Sequence, residues 1–269
     1  MPMLSNDIPA LGFGTYPLRG DVVARSVAMA LEIGLRHIDT AQMYGNEADV
    51  GAALRSSGVP RDQLYVVTKV DPSNLGQPRF ASSVERSMDD LGGPADLLLI
   101  HWPPPDDDFD ATIERLVMEK EKGMARNIGV SNFTPAMMRR AQAIAKGAII
   151  ANQVEFHPLI DQREVLREAR DLGITLTAYS PLARGKAMQP PVIQAIAAAH
   201  GRLPSEIVLR WIIQQGVAAI PMTTKRENAM SNVNALAFEL PEQHMAAISA
   251  LGTREGRTIN PSWMKGRWG

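Results

Sequence analysis

Short apolar runs alternate with amphipathic stretches along the whole chain. Runs rich in Val, Ile and Leu predict strands at 35–39, 64–69, 95–101, 126–130, 151–155, 174–179 and 217–221, with a weaker one at 235–239. They show little strict alternation of polar and apolar residues, the pattern of parallel strands covered on both faces. Between them the spacing turns helical. Phe80, Val84, Met88 and Leu91 recur at steps of four, four and three and predict a helix over 79–91. Thr134 as N-cap and Pro135 in the first turn start a second helix over 134–146, and Gly147 stops it. Gly34, Gly123 and Gly173 end helical patterns in the same way.

The strand ends are polar. Asp39, Lys69, His101, Ser131, Gln153, Tyr179 and Pro221 mark them at steps of 30, 32, 30, 22, 26 and 42 residues. Each step holds one strand and one crossover helix, and the longest holds two helical patterns, at 190–199 and 204–215. Eight such units predict an α/β fold, a closed (β/α)8 TIM barrel whose strand ends share one site. An open doubly wound sheet is the competing architecture. Its dinucleotide fingerprint is missing, because Gly12 and Gly14 are followed by Thr15, Tyr16 and Pro17 with no third glycine in register. Segment 8–18 reads instead as an irregular or hairpin lead-in covering one end of the barrel. No linker or low-complexity run divides the chain, so 1–269 reads as one barrel domain.

Composition narrows the partners. Of 269 residues 45% are hydrophobic and 21% charged, with a formal net charge of -1, an ordinary composition with ample material for a core. Such a balance offers no field to gather a polyanion, so nucleic acid and acidic membranes are not expected partners. No apolar run reaches the ~20 residues of a membrane helix. Segment 1–10 lacks the pattern of a signal peptide, and a cytoplasmic monomer or weak homo-oligomer is expected. The absence of cysteine excludes thiolate chemistry, and the five histidines show no metal-ligand spacing, so no metal is expected.

The polar ends suggest proton transfer. Asp39 and Tyr44 close LRHIDTAQMY, Lys69 closes LYVVTK, and His101 closes ADLLLIH. A lysine ammonium near Tyr44 favours the phenolate and lowers the phenol pKa, and Asp39 keeps Lys69 charged and in place. His101 can hydrogen-bond an incoming oxygen. The group can therefore protonate an oxygen on which negative charge develops. It contains no electron source, so a reduction requires a hydride from a bound cofactor. His37 points the same way as Asp39, two residues on, and reads as a structural neighbour. Two other chemistries stay open: a lyase using Lys69 as a Schiff base, and a non-catalytic cofactor-binding sensor.

The motifs also carry a resemblance. LGFGTY (11–16), RHIDTAQMYGNEADVGAAL (36–54), VVTK (66–69), LLLIHWP (97–103), IGVSNF (128–133), NQVEFHP (152–158), AYSPL (178–182), IPMTTK (220–225) and FELP (238–241) follow in an order and spacing that resemble the aldo-keto reductase family. The resemblance implies the (β/α)8 barrel and a tetrad of Asp39, Tyr44, Lys69 and His101, with Tyr44 as general acid toward a small-molecule carbonyl. It implies NADPH, with NADH possible, lying across the C-terminal mouth. Ser131, Asn132 and Gln153 then meet the carboxamide, Tyr179 stacks on the nicotinamide, and Ser180 and Leu182 carry the pyrophosphate. Thr15 and Asp39 add contacts, and Met222, Thr223, Thr224, Asn228, Ser231 and Asn232 line the adenosine end. Tyr16 and Trp102 join Tyr44 and His101 around the substrate.

One segment departs from the family pattern. Met222 and Asn228 stand where a lysine and an arginine usually hold the 2′-phosphate, which weakens the expected preference for NADPH. Lys225 and Arg226 are close enough in sequence to compensate. Asp71 stands where many relatives carry an aromatic residue, so a less apolar pocket is expected. The short tail after FELP resembles bacterial members that reduce small aldehydes, α-dicarbonyls and keto sugars.

Overall fold

The computed structural model describes residues 2–268. Its strands are β1 (Gly12–Gly14), β2 (His37–Asp39), β3 (Tyr65–Val70), β4 (Ala95–Ile100), β5 (Ala125–Ser131), β6 (Ile149–Glu155), β7 (Thr175–Tyr179) and β8 (Ala218–Ala219). They pair in parallel in chain order. Leu11 bridges Ala219, and the Ala219 N–H donates to the Ala10 carbonyl at 2.9 Å, which returns the last strand to the first. The fold is the (β/α)8 barrel that the strand spacing predicts.

Parallel neighbours need crossovers, and helices supply them. They are α1 (Gly20–Glu32), α2 (Glu47–Ser56), α3 (Arg79–Leu91), α4 (Phe109–Glu121), α5 (Pro135–Ile144), α6 (Arg163–Asp171), α7 (Pro191–His200), α8 (Pro204–Gln214), α9 (Arg226–Asn234) and α10 (Glu242–Ser249). The helix at 79–91 forms as its apolar spacing requires, with Phe80, Val84, Met88 and Leu91 all buried and Gly92 left-handed at its end. On α5 the Thr134 side chain accepts from the Met137 N–H and caps the first turn.

The eighth strand is not the expected one. Residues 235–239 form no strand; Ala235 caps the end of α9, and the chain then runs irregularly to α10. The missing strand is β1, inside the segment that reads as a lead-in. Its sequence, GFG, is too short and too rich in glycine to register as an apolar run. The glycines are required there. A Cβ on Gly12 would lie 2.7 Å from the His37 ring, and one on Gly14 would lie 2.8 Å from the Ile220 carbonyl oxygen. A lead-in turn does exist, earlier in the chain, where Met3 and Pro9 form an antiparallel bridge. The Asn6 amide donates to the Ile150 and Gly173 carbonyls at 3.1 and 3.0 Å, tying that turn to the N-terminal ends of β6 and β7.

Two apolar layers follow from strand alternation. Val67, Leu97, Leu99, Ala151 and Ala218 cluster with Ile8 inside the barrel, apart from the larger cluster between strands and helices. The period of two then places Lys69 above Val67, His101 above Leu99 and Gln153 above Ala151. The expected site residues therefore point inward at the C-terminal end, over an apolar floor.

Candidate active site

Lys69 is fully buried, and its ammonium is surrounded by oxygens. Its Nζ lies 2.6 Å from Asp39 Oδ1, 2.8 Å from the Thr40 carbonyl and 3.3 Å from the Tyr44 hydroxyl. An ammonium has three N–H donors, so each one finds an acceptor. The second Asp39 oxygen accepts from Gln153 Nε2 at 2.7 Å. Because the Tyr44 oxygen accepts from Lys69, its own O–H proton stays available for another acceptor. The Tyr44 ring lies 5.5 Å edge-on to the His101 ring, centroid to centroid, and 5.1 Å from that of Tyr16. The four tetrad candidates thus meet, although Tyr44 belongs to no strand.

Tyr44 arrives on a short turn, Gln42–Tyr44, that links β2 to α2. Polar groups fix this turn to its surroundings. The Thr40 hydroxyl donates to Asn46 at 2.6 Å, and the Asn46 amide donates to the Leu18 carbonyl at 2.8 Å. Gln42 accepts from the Asp71 N–H at 2.9 Å and donates to Ser87 at 3.0 Å. The buried Glu47 carboxylate accepts from the hydroxyls of Thr68 and Ser87. Sequence reasoning singles out none of these three. A Glu or Asn at a helix start reads as a capping or dipole-favoured surface residue, and only the β3 and α3 partners of Glu47 and the Thr40 and Leu18 partners of Asn46 show otherwise.

Burial and charge set the proton states. Burial pulls the Lys69 ammonium down, but Asp39 and Tyr44 outweigh it and the net shift is upward. Burial pushes the Tyr44 phenol up, and Lys69 opposes this only in part, so its pKa lies above the ordinary value. Lys69 lowers the phenol pKa as expected, but desolvation of the phenolate is the larger effect and the net shift is upward. At neutral pH Tyr44 therefore carries its proton. Burial also holds His101 well below the usual imidazole range, with Lys69 adding to the effect. His101 Nδ1 is buried with no hydrogen-bond partner. His37 is buried and neutral for the same reason, near the Pro9 carbonyl. It sits below the tetrad, as a structural neighbour would.

A second group borders the first. The Ser131 hydroxyl donates to the Gln153 carbonyl at 2.7 Å, the Asn132 amide to the His101 carbonyl at 3.1 Å, and the Tyr179 hydroxyl to Asn132 Oδ1 at 2.8 Å. Asn132 and Ser180 adopt left-handed backbone, φ 64° and 47°, which sharply turns the chain just past β5 and β7. Leu182 opens the irregular turn Ala183–Met188. Thr15 is buried, its hydroxyl donating to the Asp39 carbonyl at 3.0 Å.

The expected adenosine end lies on the loop after β8 and on α9. Met222, Thr224 and Asn228 are exposed, and Thr223 is half-buried. Asn232 is buried, and the Ser231 hydroxyl donates to Glu206 of α8 at 3.3 Å. Arg226 is drawn away onto α1, where it pairs with Glu32 at 2.7 Å. Lys225 is exposed on the loop itself.

On the substrate side, Trp102 is 7% exposed and Tyr16 is 57% exposed. Two tail residues, Trp263 and Trp268, pack against Trp102 at 5.9 and 6.2 Å between ring centroids. Asp71 accepts from the Ser73 N–H and hydroxyl at 2.8 and 2.7 Å, so its carboxylate is engaged in capping a turn.

Known proteins resemble this chain in sequence and in fold. The model of the Aldo/keto reductase family matches residues 10–253. A methylglyoxal reductase, DkgB, of Escherichia coli O157:H7 is 42% identical over 97% of this chain and 99% of its own. A solved structure of a proposed 2,5-diketo-D-gluconic acid reductase B superposes with a TM-score of 0.94 at 39% identity, covering 97% of this chain and 95% of that one. An aldo/keto reductase from Brucella melitensis superposes with a TM-score of 0.88 at 35% identity, covering 93% and 98%. Among the described residues no helix is long and apolar enough to cross a membrane. The chain belongs to the aldo/keto reductase family and is a carbonyl-reducing oxidoreductase.

Proposed function

We propose that this enzyme reduces small aldehydes and α-dicarbonyls to alcohols, with Tyr44 as general acid and NADPH, or NADH in its place, as hydride source. The observation that carries this reading is the Lys69 ammonium shared among Asp39, Thr40 and Tyr44. It leaves Tyr44 with a proton to give and a cation beside the oxygen that gives it. The mouth fits a nicotinamide: Tyr179 offers a flat ring fixed at its hydroxyl, and Ser131, Asn132 and Gln153 crowd the same edge with amide and hydroxyl groups. When bound, the cofactor supplies a hydride to the carbonyl carbon.

The protein supplies the rest. As negative charge grows on the carbonyl oxygen, Tyr44 donates its proton there, and Lys69 stabilises the phenolate left behind. Asp39 holds the Lys69 ammonium in place. A buried N–H without a partner is costlier than a bare lone pair, so the unpaired Nδ1 assigns the His101 proton to Nε2. Neutral His101 can then donate to the same oxygen and orient it. A Schiff base at Lys69 would need the neutral amine, and the upward shift of Lys69 opposes that reading.

Substrate class rests on the tail and on similarity to the methylglyoxal reductase. Initial rates of NADPH and NADH oxidation with methylglyoxal, diacetyl, an aromatic aldehyde and a diketo sugar acid test it. Turnover favouring methylglyoxal or diacetyl is expected; no turnover with any of them contradicts the reading. At the phosphate end Met222 and Asn228 offer no charge, Arg226 pairs with Glu32 on the surface, and Lys225 is the remaining cation on the loop. Dissociation constants for the two cofactors should therefore lie close together, and a preference for NADPH of about a thousandfold or more contradicts dual use.

A further inference from the structure

Glu155 ends β6 and is fully buried. A buried carboxylate needs several hydrogen bonds or a charge to offset its lost hydration. Here most partners come from one segment beyond α10. The Thr258 backbone N–H donates to Oε1 at 2.7 Å, and the Thr258 hydroxyl donates to the same oxygen. The Ile259 N–H donates to Oε2 at 3.1 Å, and the Arg257 guanidinium lies 3.7 Å from that oxygen. From the barrel side His157 Nε2 lies 3.0 Å from Oε1. Burial alone would raise this carboxyl, yet the bonds from His157, Thr258 and Ile259 outweigh it and the net shift is downward.

From this seat the tail runs to the substrate side of the mouth. Arg257 stacks on Trp268 at 3.6 Å from the ring centroid. Arg267 donates to the carbonyls of Pro103 and Pro104 at 3.4 and 2.7 Å. Trp263 and Trp268 meet Trp102 edge-on, and Trp102 stacks with its neighbour His101 at 6.2 Å between ring centroids. Gly256 lets the chain enter the seat, since a Cβ there would lie 1.7 Å from the Leu159 carbonyl oxygen. The tail beyond Gly256 belongs to no strand. Its placement rests on side-chain packing and on the acceptors that Glu155, Pro103 and Pro104 offer.

We propose that Glu155 is a positioning residue that seats the tail 257–268, and through it holds Trp102, Trp263 and Trp268 as an aromatic wall beside His101. Glu155 touches none of the reacting atoms; it sets how tightly a carbonyl substrate is held. The proposal rests on reading Tyr44 and His101 as the substrate-facing groups. A glutamine at 155 keeps the shape but replaces one acceptor oxygen by a donor, which faces the N–H groups of Thr258 or Ile259.

The test uses the full chain with Glu155→Gln, and Thr258→Val as a milder variant that removes one hydroxyl from the tail. KM for the best carbonyl substrate should rise about tenfold in Glu155→Gln, as expected for losing bonds to a charged group. The turnover number and cofactor affinity should stay near those of the unmodified enzyme. Tryptophan emission should move to the red as the buried Trp102 and the half-buried Trp268 gain water, and Thr258→Val should shift KM and emission in the same direction by less. Unchanged KM and emission in Glu155→Gln overturn the proposal. So does a loss confined to turnover and cofactor affinity, which would place Glu155 in support of Tyr179 instead. If Glu155→Gln does not fold, unchanged KM and emission in Thr258→Val overturn it. Emission is read without turnover, so an unmodified protein inactive on every carbonyl refutes the functional reading, whereas unmoved emission refutes the seat.

Discussion

At the scale of single residues, Lys69 organises the site. It converts a buried aspartate, a backbone carbonyl and a phenol into one bonded unit, and each member depends on the others for its lost hydration. Lys69→Met keeps most of the side-chain volume and removes the cation. Asp39 is then left buried with only the Gln153 amide as side-chain partner. The variant should lose activity and also about 3–5 kcal/mol of stability, the cost of breaking a buried pair at one end. Urea unfolding would show it. Adding Asp39→Asn to Lys69→Met should recover part of that stability without recovering activity, because the unpaired charge is gone but the proton relay is not restored. Additive losses would mean that the two side chains are not coupled as the geometry indicates.

At the scale of elements, the barrel brings residues from separate strands together, and close backbone approach holds the flanking helices in place. Gly51 lies within α2 where a Cβ would sit 2.0 Å from the Asp90 carbonyl oxygen on α3. Alanine in a helix interior ordinarily stabilises by about 1 kcal/mol over glycine. Here Gly51→Ala should instead destabilise by about 1–3 kcal/mol through overpacking, and a raised thermal midpoint would contradict this. The same elements show what was legible in the sequence. The six strands from β2 to β7 announce themselves by apolar runs with a polar stop, and those stops supplied Asp39, Lys69, His101 and Gln153. The strand that escapes is β1, three residues long, whereas β8, only two residues long, falls inside the run predicted at 217–221. The identity of β1 is set by pairing to its neighbours, which no local pattern records. The run at 235–239 is apolar because it packs after α9, not because it pairs. The roles of Glu47 and Glu155 were hidden for a related reason. Both are acidic residues whose partners, Ser87 and Thr258, lie 40 and 103 positions away.

At the scale of the molecule, the two ends of the barrel have different tasks. The lead-in turn closes the N-terminal end, while the C-terminal mouth gathers the ionisable groups and the aromatic wall. That arrangement buries His101 at the mouth and His37 below it, both held neutral. In the unfolded chain each titrates near its ordinary value of about 6.5. Just below that pH the unfolded chain binds more protons than the folded one, so stability is full above about 6.5 and falls as the pH drops. Glu47, raised by burial, acts in the opposite sense closer to the carboxylate range. Urea midpoints should therefore be lower at pH 5.5 than at pH 7.5, and His101→Gln should flatten the difference.

The central claim is that Tyr44 delivers the proton to a carbonyl oxygen while a nicotinamide delivers the hydride. The direct measurement is the steady-state oxidation of reduced cofactor by methylglyoxal, or by the best substrate of the panel, in Tyr44→Phe beside the unmodified enzyme. The phenyl ring keeps the packing against Tyr16 and His101 and removes only the oxygen that Lys69 holds. Cofactor affinity should be unchanged, and the turnover number should fall by a factor of about 10²–10⁴, the worth of a positioned general acid. Turnover within about tenfold of the unmodified enzyme would contradict the assignment, since so small a loss lies below what general acid catalysis contributes.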